Sequence, residues 1–142
     1  GAAAMVVMSE AAARRYGLTP LVRVVSTAVV GVSPALMGLG PVYATRKVLR
    51  RSGLRLQEIE IVELNEAFAV QAMACMNELE LDHEIVNVHG GSLAIGHPLG
   101  ASGVRIASTL IHTMRDRHAR LGLATMCIGF GQGIAVVFEL IE

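Results

Sequence analysis

Three side chains suited to acid–base or nucleophilic chemistry stand at breaks between regular patterns. Asn65 follows a short apolar run, His97 lies in a glycine-rich stretch before a helical pattern, and Cys127 precedes a glycine turn. Their separations, 32 and 30 residues, each match about one strand–helix unit. Because functional residues of layered α/β folds gather at the carboxyl ends of strands, we expect these three to converge.

Each of these residues also has an ordinary structural explanation when it is taken alone. Asn65 is suited to capping a helix, His97 to a hydrogen-bonded loop position, and Cys127 to a buried apolar position. Cys75 lies in a helical pattern among methionine and alanine, which predicts a place in the core. His89, His97 and Cys127 lack the short paired spacing of zinc ligands, so no metal site is predicted.

The stretch from residue 90 to 103, GGSLAIGHPLGASG, is the most informative part of the chain. Its glycines allow a ligand to approach the backbone closely, and amides that precede a helix can bind anions. The Gly-Lys-Ser/Thr ending of a Walker loop is missing, and no acidic residue follows at the distance that a Rossmann fingerprint requires. The stretch therefore predicts a ligand-binding loop of another kind.

The order of patterns from Leu21 onward is β-α-β-α-β-α-β-β. Such alternation favours an α/β sheet with helices on both faces, and the short link 129–133 makes the last two strands antiparallel. We therefore predict a layered fold with a mixed five-stranded sheet. One helix begins at Pro41 and ends at Gly53, and another begins with Asn65 as its N-cap and Glu66 in its first turn. The predicted strands are 21–30, 59–64, 85–88, 121–128 and 134–141.

Composition narrows the classes of function. Of the 142 residues 53% are hydrophobic, as expected for strands covered on both faces, yet no apolar run reaches the roughly 20 residues of a membrane span. Twelve basic and twelve acidic side chains balance, and no basic block predicts nucleic-acid binding. Two cysteines form no disulfide framework and no signal peptide is present, so a cytoplasmic location is expected.

The start of the chain is unusual for a domain. Residues 2–8 are an apolar run, predicted to be a buried strand, and no initiator Met precedes them. Ser9 can cap a short helix that reaches Tyr16 and ends at Gly17. We interpret the chain as part of a longer protein.

Three motifs resemble those of the thiolase family. Residues 65–69, Asn-Glu-Ala-Phe-Ala, resemble its Asn-Glu-Ala-Phe motif, residues 90–103 its Gly-His-Pro signature, and residues 127–133 its C-terminal Cys-x-Gly motif. The resemblance covers nearly the whole chain and is greatest to the 3-ketoacyl-CoA thiolases (acetyl-CoA acyltransferases) of fatty-acid oxidation. It implies a thiolase-like layered fold, with residues 1–18 as the last strand and helix of the N-terminal domain and residues 19–142 as the C-terminal domain.

The resemblance also implies a reaction, the CoA-dependent cleavage of a 3-oxoacyl-CoA to acetyl-CoA and a shortened acyl-CoA, or the reverse condensation. His97 would activate a nucleophilic cysteine and stabilise an oxyanion, and Asn65 would hold a water in the same oxyanion hole. Cys127 would transfer the proton, and the Gly129 amide would serve a second oxyanion hole. The nucleophile belongs to the N-terminal domain, so the isolated chain is expected to be inactive.

Met37, Ala67 and Phe68 match positions of the pocket wall. Coenzyme A would be a substrate, with no tightly bound cofactor. The expected partners are acyl-CoA, the chain's own N-terminal domain, further copies in a homo-oligomer and a multienzyme partner of β-oxidation. Departures from the family pattern are His89, Tyr43 and Phe130, the last at a position where many members have glycine.

Three other kinds of protein are compatible with parts of this pattern. A non-catalytic thiolase-like module that binds acyl-CoA or lipid would typically lose the His or the Cys, and both are present. A condensing enzyme of the acyl-carrier-protein type would lack the cysteine at Cys127. A fragment that associates through an exposed apolar surface is the third.

Overall fold

Four strands form one mixed sheet in the computed structural model, which describes residues 1–141. The order across the sheet is β1-β4-β3-β2. The β3/β4 pair is antiparallel, as the short link between them predicts. The β1/β4 pair is also antiparallel, and the β2/β3 pair is parallel. The strands are β1 (Val22–Gly31), β2 (Ile61–Leu64), β3 (Leu121–Ile128) and β4 (Gln132–Leu140).

Helices cover both faces of this sheet, and the predicted α/β layering is confirmed. Successive residues of β3 point to opposite faces, so Leu123 lies in one apolar cluster with Val48 and Ala124 lies in another with Leu110.

None of the helices in residues 1–141 is long and apolar enough to cross a membrane. The α-helices are α1 (Glu10–Tyr16), α2 (Gly40–Ser52), α3 (Ala69–Leu79), α4 (Ser92–Ile95) and α5 (Leu99–Arg117); 3₁₀ turns occupy Pro34–Leu39, Leu56–Glu58 and His83–Ile85.

The predicted ends of α1 and α2 are confirmed. The Ala12 amide donates to Ser9 Oγ at 3.2 Å, which caps α1. Gly17 ends α1 and Gly53 ends α2, both in the left-handed conformation that glycine adopts most easily. Pro41 lies in the first turn of α2, where its missing N–H costs nothing.

The prediction of a buried strand at residues 2–8 is wrong. These residues pair with no strand in the described part of the chain, and Val6 and Val7 are 81% and 78% exposed. A strand needs a hydrogen-bonded neighbour and apolar cover on at least one face. The sheet of residues 22–140 provides neither for this segment.

The predicted strand at residues 85–88 is also absent, so the sheet has four strands instead of five. Only Val86 forms a bridge, to Val62 of β2. The next residue, Asn87, adopts a φ of 47°, which is incompatible with an extended strand. The Asn87 side chain makes the hydrogen bonds that a neighbouring strand would otherwise make with Leu64. Its Nδ2 donates to the Leu64 carbonyl at 2.8 Å, and its Oδ1 accepts from the Leu64 backbone amide at 2.9 Å.

Candidate active site

Asn65 and His97 are in contact at the carboxyl end of β2. The backbone N–H of Asn65 donates to the Thr125 carbonyl at 3.0 Å, which extends the parallel pairing of β2 with β3 by one residue. The Asn65 side chain is fully buried. Its Nδ2 lies 3.4 Å from Nδ1 and 3.3 Å from Nε2 of His97. Two residues 32 positions apart are thus brought together by one strand end and one loop.

The prediction that Asn65 caps a helix is wrong. Helix α3 begins only at Ala69, and its N-cap is Phe68, which makes no side-chain capping bond. The side-chain amide of Asn65 instead has partners for both of its polar atoms. Its Oδ1 accepts from Ser92 Oγ at 2.7 Å, and its Nδ2 lies against the ring of His97. A fully buried amide needs such partners because an unpaired polar group away from water is destabilising, and those partners lie away from α3.

Glu66, predicted in the first turn of that helix, instead connects its own loop to α4 and to the loop that carries Asn87. One carboxylate oxygen accepts from the Leu93 amide at 3.0 Å, and the other accepts from Asn87 Nδ2 at 3.0 Å. A side chain at Gly91 would place its Cβ 2.5 Å from a carboxylate oxygen of Glu66, so it would displace that carboxylate from its hydrogen bonds. The motif at residues 65–69 contains Glu66, but its bonding could not be foreseen from one sequence.

His97 is half-buried in the three-residue link between α4 and α5. Its Nδ1 lies 2.6 Å from Ser102 Oγ, and that hydroxyl also lies 3.0 Å from the Pro98 carbonyl as a donor. Ser102 is fully buried one turn into α5. Sequence reasoning missed Ser102, although it lies in the glycine-rich stretch five residues after His97.

An ion pair between a buried carboxylate and a partly buried guanidinium was also missed. Arg105 Nη2 donates to Ser92 Oγ at 2.8 Å, and Arg105 Nη1 lies 3.6 Å from Glu63 Oε2. Glu63 is 1% exposed, and this burial raises the pKa of its carboxyl to about 7 although the Arg105 charge opposes the shift. The available signal was a single carboxylate inside the apolar run of β2.

Cys127 is the penultimate residue of β3 and is paired with Gly133 of β4. Its thiol is buried, and burial raises its pKa. These surroundings therefore favour the protonated thiol over the thiolate. The Cys127 thiol forms no hydrogen bond with His97 within residues 1–141, although both lie near the carboxyl end of the β2/β3 pair.

The link after Cys127 is a tight turn from Gly129 to Gly131. Gly129 is exposed, and a Cβ added there would meet nothing within 4 Å. Phe130 is 95% exposed and has a φ of 63°, which is uncommon for a bulky side chain. Gly131 is held against another loop, since its carbonyl accepts from the Val32 amide at 2.7 Å.

The predicted wall residues lie on two loops beside the site. Met37 is half-buried in the 3₁₀ turn Pro34–Leu39, which packs against α3. Ala67 is half-buried and Phe68 is 60% exposed on the loop between β2 and α3. Cys75 is fully buried in the core, as predicted, and its thiol donates to the Gly38 carbonyl at 3.2 Å.

Several large apolar side chains on α3, α4 and α5 are open to solvent. Leu93, Ile95 and Leu99 are 63%, 68% and 77% exposed on either side of His97. Val70 and Met73 are similarly exposed on α3. We call these five residues the apolar rim. Large apolar side chains that are open to solvent near polar functional groups are typical of surfaces that bind another molecule.

A family model for the C-terminal domain of thiolases matches residues 18–140. A 3-ketoacyl-CoA thiolase from Aeromonas salmonicida is 58% identical over 98% of this chain and 37% of its own length. An acetyl-CoA acetyltransferase from Escherichia coli is also 58% identical, over 98% of this chain and 35% of its own length. The chain thus spans little more than a third of the curated relatives that it matches.

A solved structure has the same fold. The human mitochondrial 3-ketoacyl-CoA thiolase in complex with CoA superposes with a TM-score of 0.92 and 44% sequence identity, over 94% of this chain and 34% of the human chain. The layered α/β architecture, the motif positions and the family match agree. This chain belongs to the thiolase family, through the C-terminal domain of that family.

Proposed function

We propose that this chain forms the C-terminal part of a thiolase that cleaves 3-oxoacyl-CoA with coenzyme A, or runs the reverse condensation. Residues 1–18 would end the N-terminal domain and residues 19–142 would form the C-terminal domain. Coenzyme A would enter as a substrate. The main support for this proposal is the contact between the buried side-chain amide of Asn65 and the ring of His97. It places two polar groups side by side at the carboxyl end of β2.

His97 would take the proton of a nucleophilic cysteine and then donate to the thioester oxyanion. A general base must be fixed within hydrogen-bond reach and be able to change its protonation state near neutral pH, and a His held by Ser102 and Asn65 meets the first condition. The amino group of Asn65 would bind the water that completes this oxyanion hole. Fixed donors of this kind stabilise developing charge without reorganising.

Cys127 would exchange the proton at the α-carbon of the acyl group or at the coenzyme A thiol. Burial keeps its thiol protonated in this chain, which suits an acid that becomes a base only when substrate and further protein surround it. The exposed Gly129 would offer its amide to the second oxyanion hole, and the absence of a side chain there leaves room for a thioester. Met37, Ala67 and Phe68 would contact the acyl group.

The nucleophile would come from the N-terminal domain. Cys75 is buried in the core and bonded to Gly38, so it is not available to attack a substrate. The apolar rim is the surface that we assign to contact with the N-terminal domain, in a cytoplasmic homo-oligomer that could associate with other enzymes of β-oxidation. The isolated chain would then lack turnover.

The test uses a full-length thiolase chain that contains this sequence, with acetoacetyl-CoA and coenzyme A as substrates. We expect His97→Ala to slow acylation of the nucleophile by roughly 10²–10⁴-fold, the range of general acid–base catalysis. Cys127→Ala should keep acylation and lose proton transfer. His112→Ala, an exposed position on α5, is the control and should change neither step.

Two results would contradict the proposal. One is normal acylation in His97→Ala. The other is thiolysis by the 142-residue chain alone, which would show that no nucleophile from another segment is needed.

A further inference from the structure

We propose that the contact between Gly38 and Gln71 sets the position of the turn Pro34–Leu39 and thereby the length of acyl chain that the pocket accepts. Gly38, Gln71 and Cys75 are then positioning residues, since they hold the turn without touching the substrate. The inference rests on the proposed function, in which Met37 of this turn contacts the acyl group. The packing from which it starts does not depend on that function.

One side of the turn is fixed by backbone contacts with the β3–β4 hairpin. Just before the turn, the Val32 amide donates to the Gly131 carbonyl at 2.7 Å. Just after it, Gly40 lies so close to the hairpin that an added Cβ would be 2.4 Å from the Gln132 carbonyl oxygen. Because backbone meets backbone here, a change of side chain cannot adjust this side of the turn.

The other side of the turn is held by side chains of α3. The Cys75 thiol donates to the Gly38 carbonyl at 3.2 Å, and Gln71 Nε2 donates to Cys75 Sγ at 3.5 Å. Both side chains are buried. Burial also raises the pKa of the Cys75 thiol, which keeps the thiol protonated as a donor. The distance between the turn and α3 therefore depends on residues that substitution can change.

Gly38 and Gln71 leave no free space between them. A Cβ added at Gly38 would lie 2.9 Å from Gln71 Cγ and 3.3 Å from Gln71 Cβ. Gly38 does not adopt a positive φ, so space is the obstacle to alanine there, not backbone conformation. Gln71 is only 6% exposed and has little room to move aside. Since packed interiors transmit such strain, an added methyl group should move the turn away from α3.

The residues assigned to the acyl pocket lie on the two elements that this contact separates. Met37 precedes Gly38 on the turn, and Ala67 and Phe68 lie on the loop that leads into α3. Moving the turn away from α3 widens the space between them, which favours a longer acyl chain. One methylene group in an apolar pocket changes selectivity by roughly 10–200-fold, so a small displacement has a measurable effect.

The experiment measures thiolysis by a full-length thiolase chain that contains this sequence, with 3-oxodecanoyl-CoA and with acetoacetyl-CoA. The readout is the ratio of the two kcat/KM values, long chain over short chain. We expect Gly38→Ala to raise this ratio by about tenfold. Adding Gln71→Ala removes the Cγ atom from the contact and should return the ratio toward the wild-type value. A loss of stability alone would lower both kcat/KM values together and leave their ratio unchanged.

Two variants serve as matched controls. Gly31→Ala, close before the turn, adds a Cβ that would meet nothing within 4 Å and should leave the ratio unchanged. Gln57→Ala, at an exposed position, should not reverse the effect of Gly38→Ala when the two are combined. Circular dichroism checks that each variant is folded.

If Gly38→Ala does not fold, Cys75→Ala replaces it in the test. It removes the donor to the Gly38 carbonyl without adding volume, so it should raise the ratio as well. Cys75→Ser keeps a donor at this position and should stay close to the wild-type ratio.

An unchanged or lowered ratio in the folded test variant would overturn the inference, and so would a raised ratio in Gly38→Ala that Gln71→Ala does not reverse. A wild type that cleaves neither substrate would contradict the proposed function. A wild type that cleaves both, with a ratio that the test variant does not raise, would contradict the role of the turn alone.

Discussion

Two regions at the same end of the sheet are built in opposite ways. Around Asn65 and His97, buried side chains from β2, α4 and α5 bond to one another through atoms 2.6–3.6 Å apart. Around Gly129 and Phe130, the turn after β3 is exposed and its side chains have few neighbours.

The difference indicates which half of the site is held in place by the side chains of this chain itself. Buried polar groups keep fixed positions because each lost bond leaves an unsatisfied atom. An exposed turn keeps its shape through backbone conformation, and its electrostatic surroundings come from whatever covers it. We therefore expect substitutions in the first region to change stability strongly, and substitutions in the second to do so only where backbone geometry is affected.

The largest effect should come from Arg105→Met. It leaves the buried Glu63 carboxylate without a partner, which typically destabilises a protein by roughly 3–5 kcal/mol at a pH where that carboxylate is ionised. Urea unfolding slightly above neutral pH measures the loss, and Arg115→Met, exposed on the same helix, serves as the control. A loss in Arg105→Met no larger than in the control would remove the contrast between the two regions.

The next effect is a pH dependence that Glu63 introduces. Its pKa is about 7 in the folded chain against a model value of 4.5, so the folded state binds the proton more tightly than the unfolded state does. The contribution of Glu63 to stability is therefore complete below the unfolded pKa and is lost as pH rises through the folded one. The loss is on the order of 3 kcal/mol.

Glu63→Gln should flatten this part of the stability profile, measured by urea unfolding between about pH 5 and pH 8. Glu84→Gln, at an exposed position, should keep the wild-type slope. Parallel profiles for the wild type and Glu63→Gln would mean that Glu63 stays ionised in the folded protein throughout this range.

The smallest effect distinguishes two glycines of one turn. Gly131 has a φ of 88°, and a Cβ there would lie 3.0 Å from the Pro34 nitrogen, so Gly131→Ala should destabilise the chain by roughly 1–3 kcal/mol. Gly129→Ala should change the free energy of unfolding by less than about 0.5 kcal/mol, since its Cβ would meet nothing. Equal thermal shifts for the two variants would show that strain in this turn is not local.

Much of the fold could be predicted from hydrophobic periodicity and from glycine and proline punctuation. The layers, the antiparallel final hairpin and the ends of α1 and α2 follow from such local signals. The strand at 85–88 could not be judged in this way, because a single left-handed residue, Asn87, ends the extended backbone after Val86. Short apolar runs do not reveal whether a partner strand lies beside them.

The site, too, could be predicted from the sequence only in part. The pairing of Asn65 with His97 follows from motif order and spacing, but Glu63, Ser92, Ser102 and Arg105 do not. These residues lie on three separate elements, β2, α4 and α5, and contacts between them arise from tertiary packing that one sequence does not display. The catalytic roles of His97, Cys127, Asn65 and Gly129 remain predictions until the enzyme assays are done.

The hydrogen bonds between the Asn87 side chain and the backbone of Leu64 have a consequence for assembly. An open sheet edge offers unpaired N–H and C=O groups to any extended peptide, which is a common route to aggregation. The amide side chain of Asn87 occupies both groups of Leu64 at the β2 edge. At the opposite edge, Lys47 and Arg51 donate to carbonyls of β1. Because these backbone groups are occupied on both outer strands, the sheet offers fewer free groups for lengthening by strand addition.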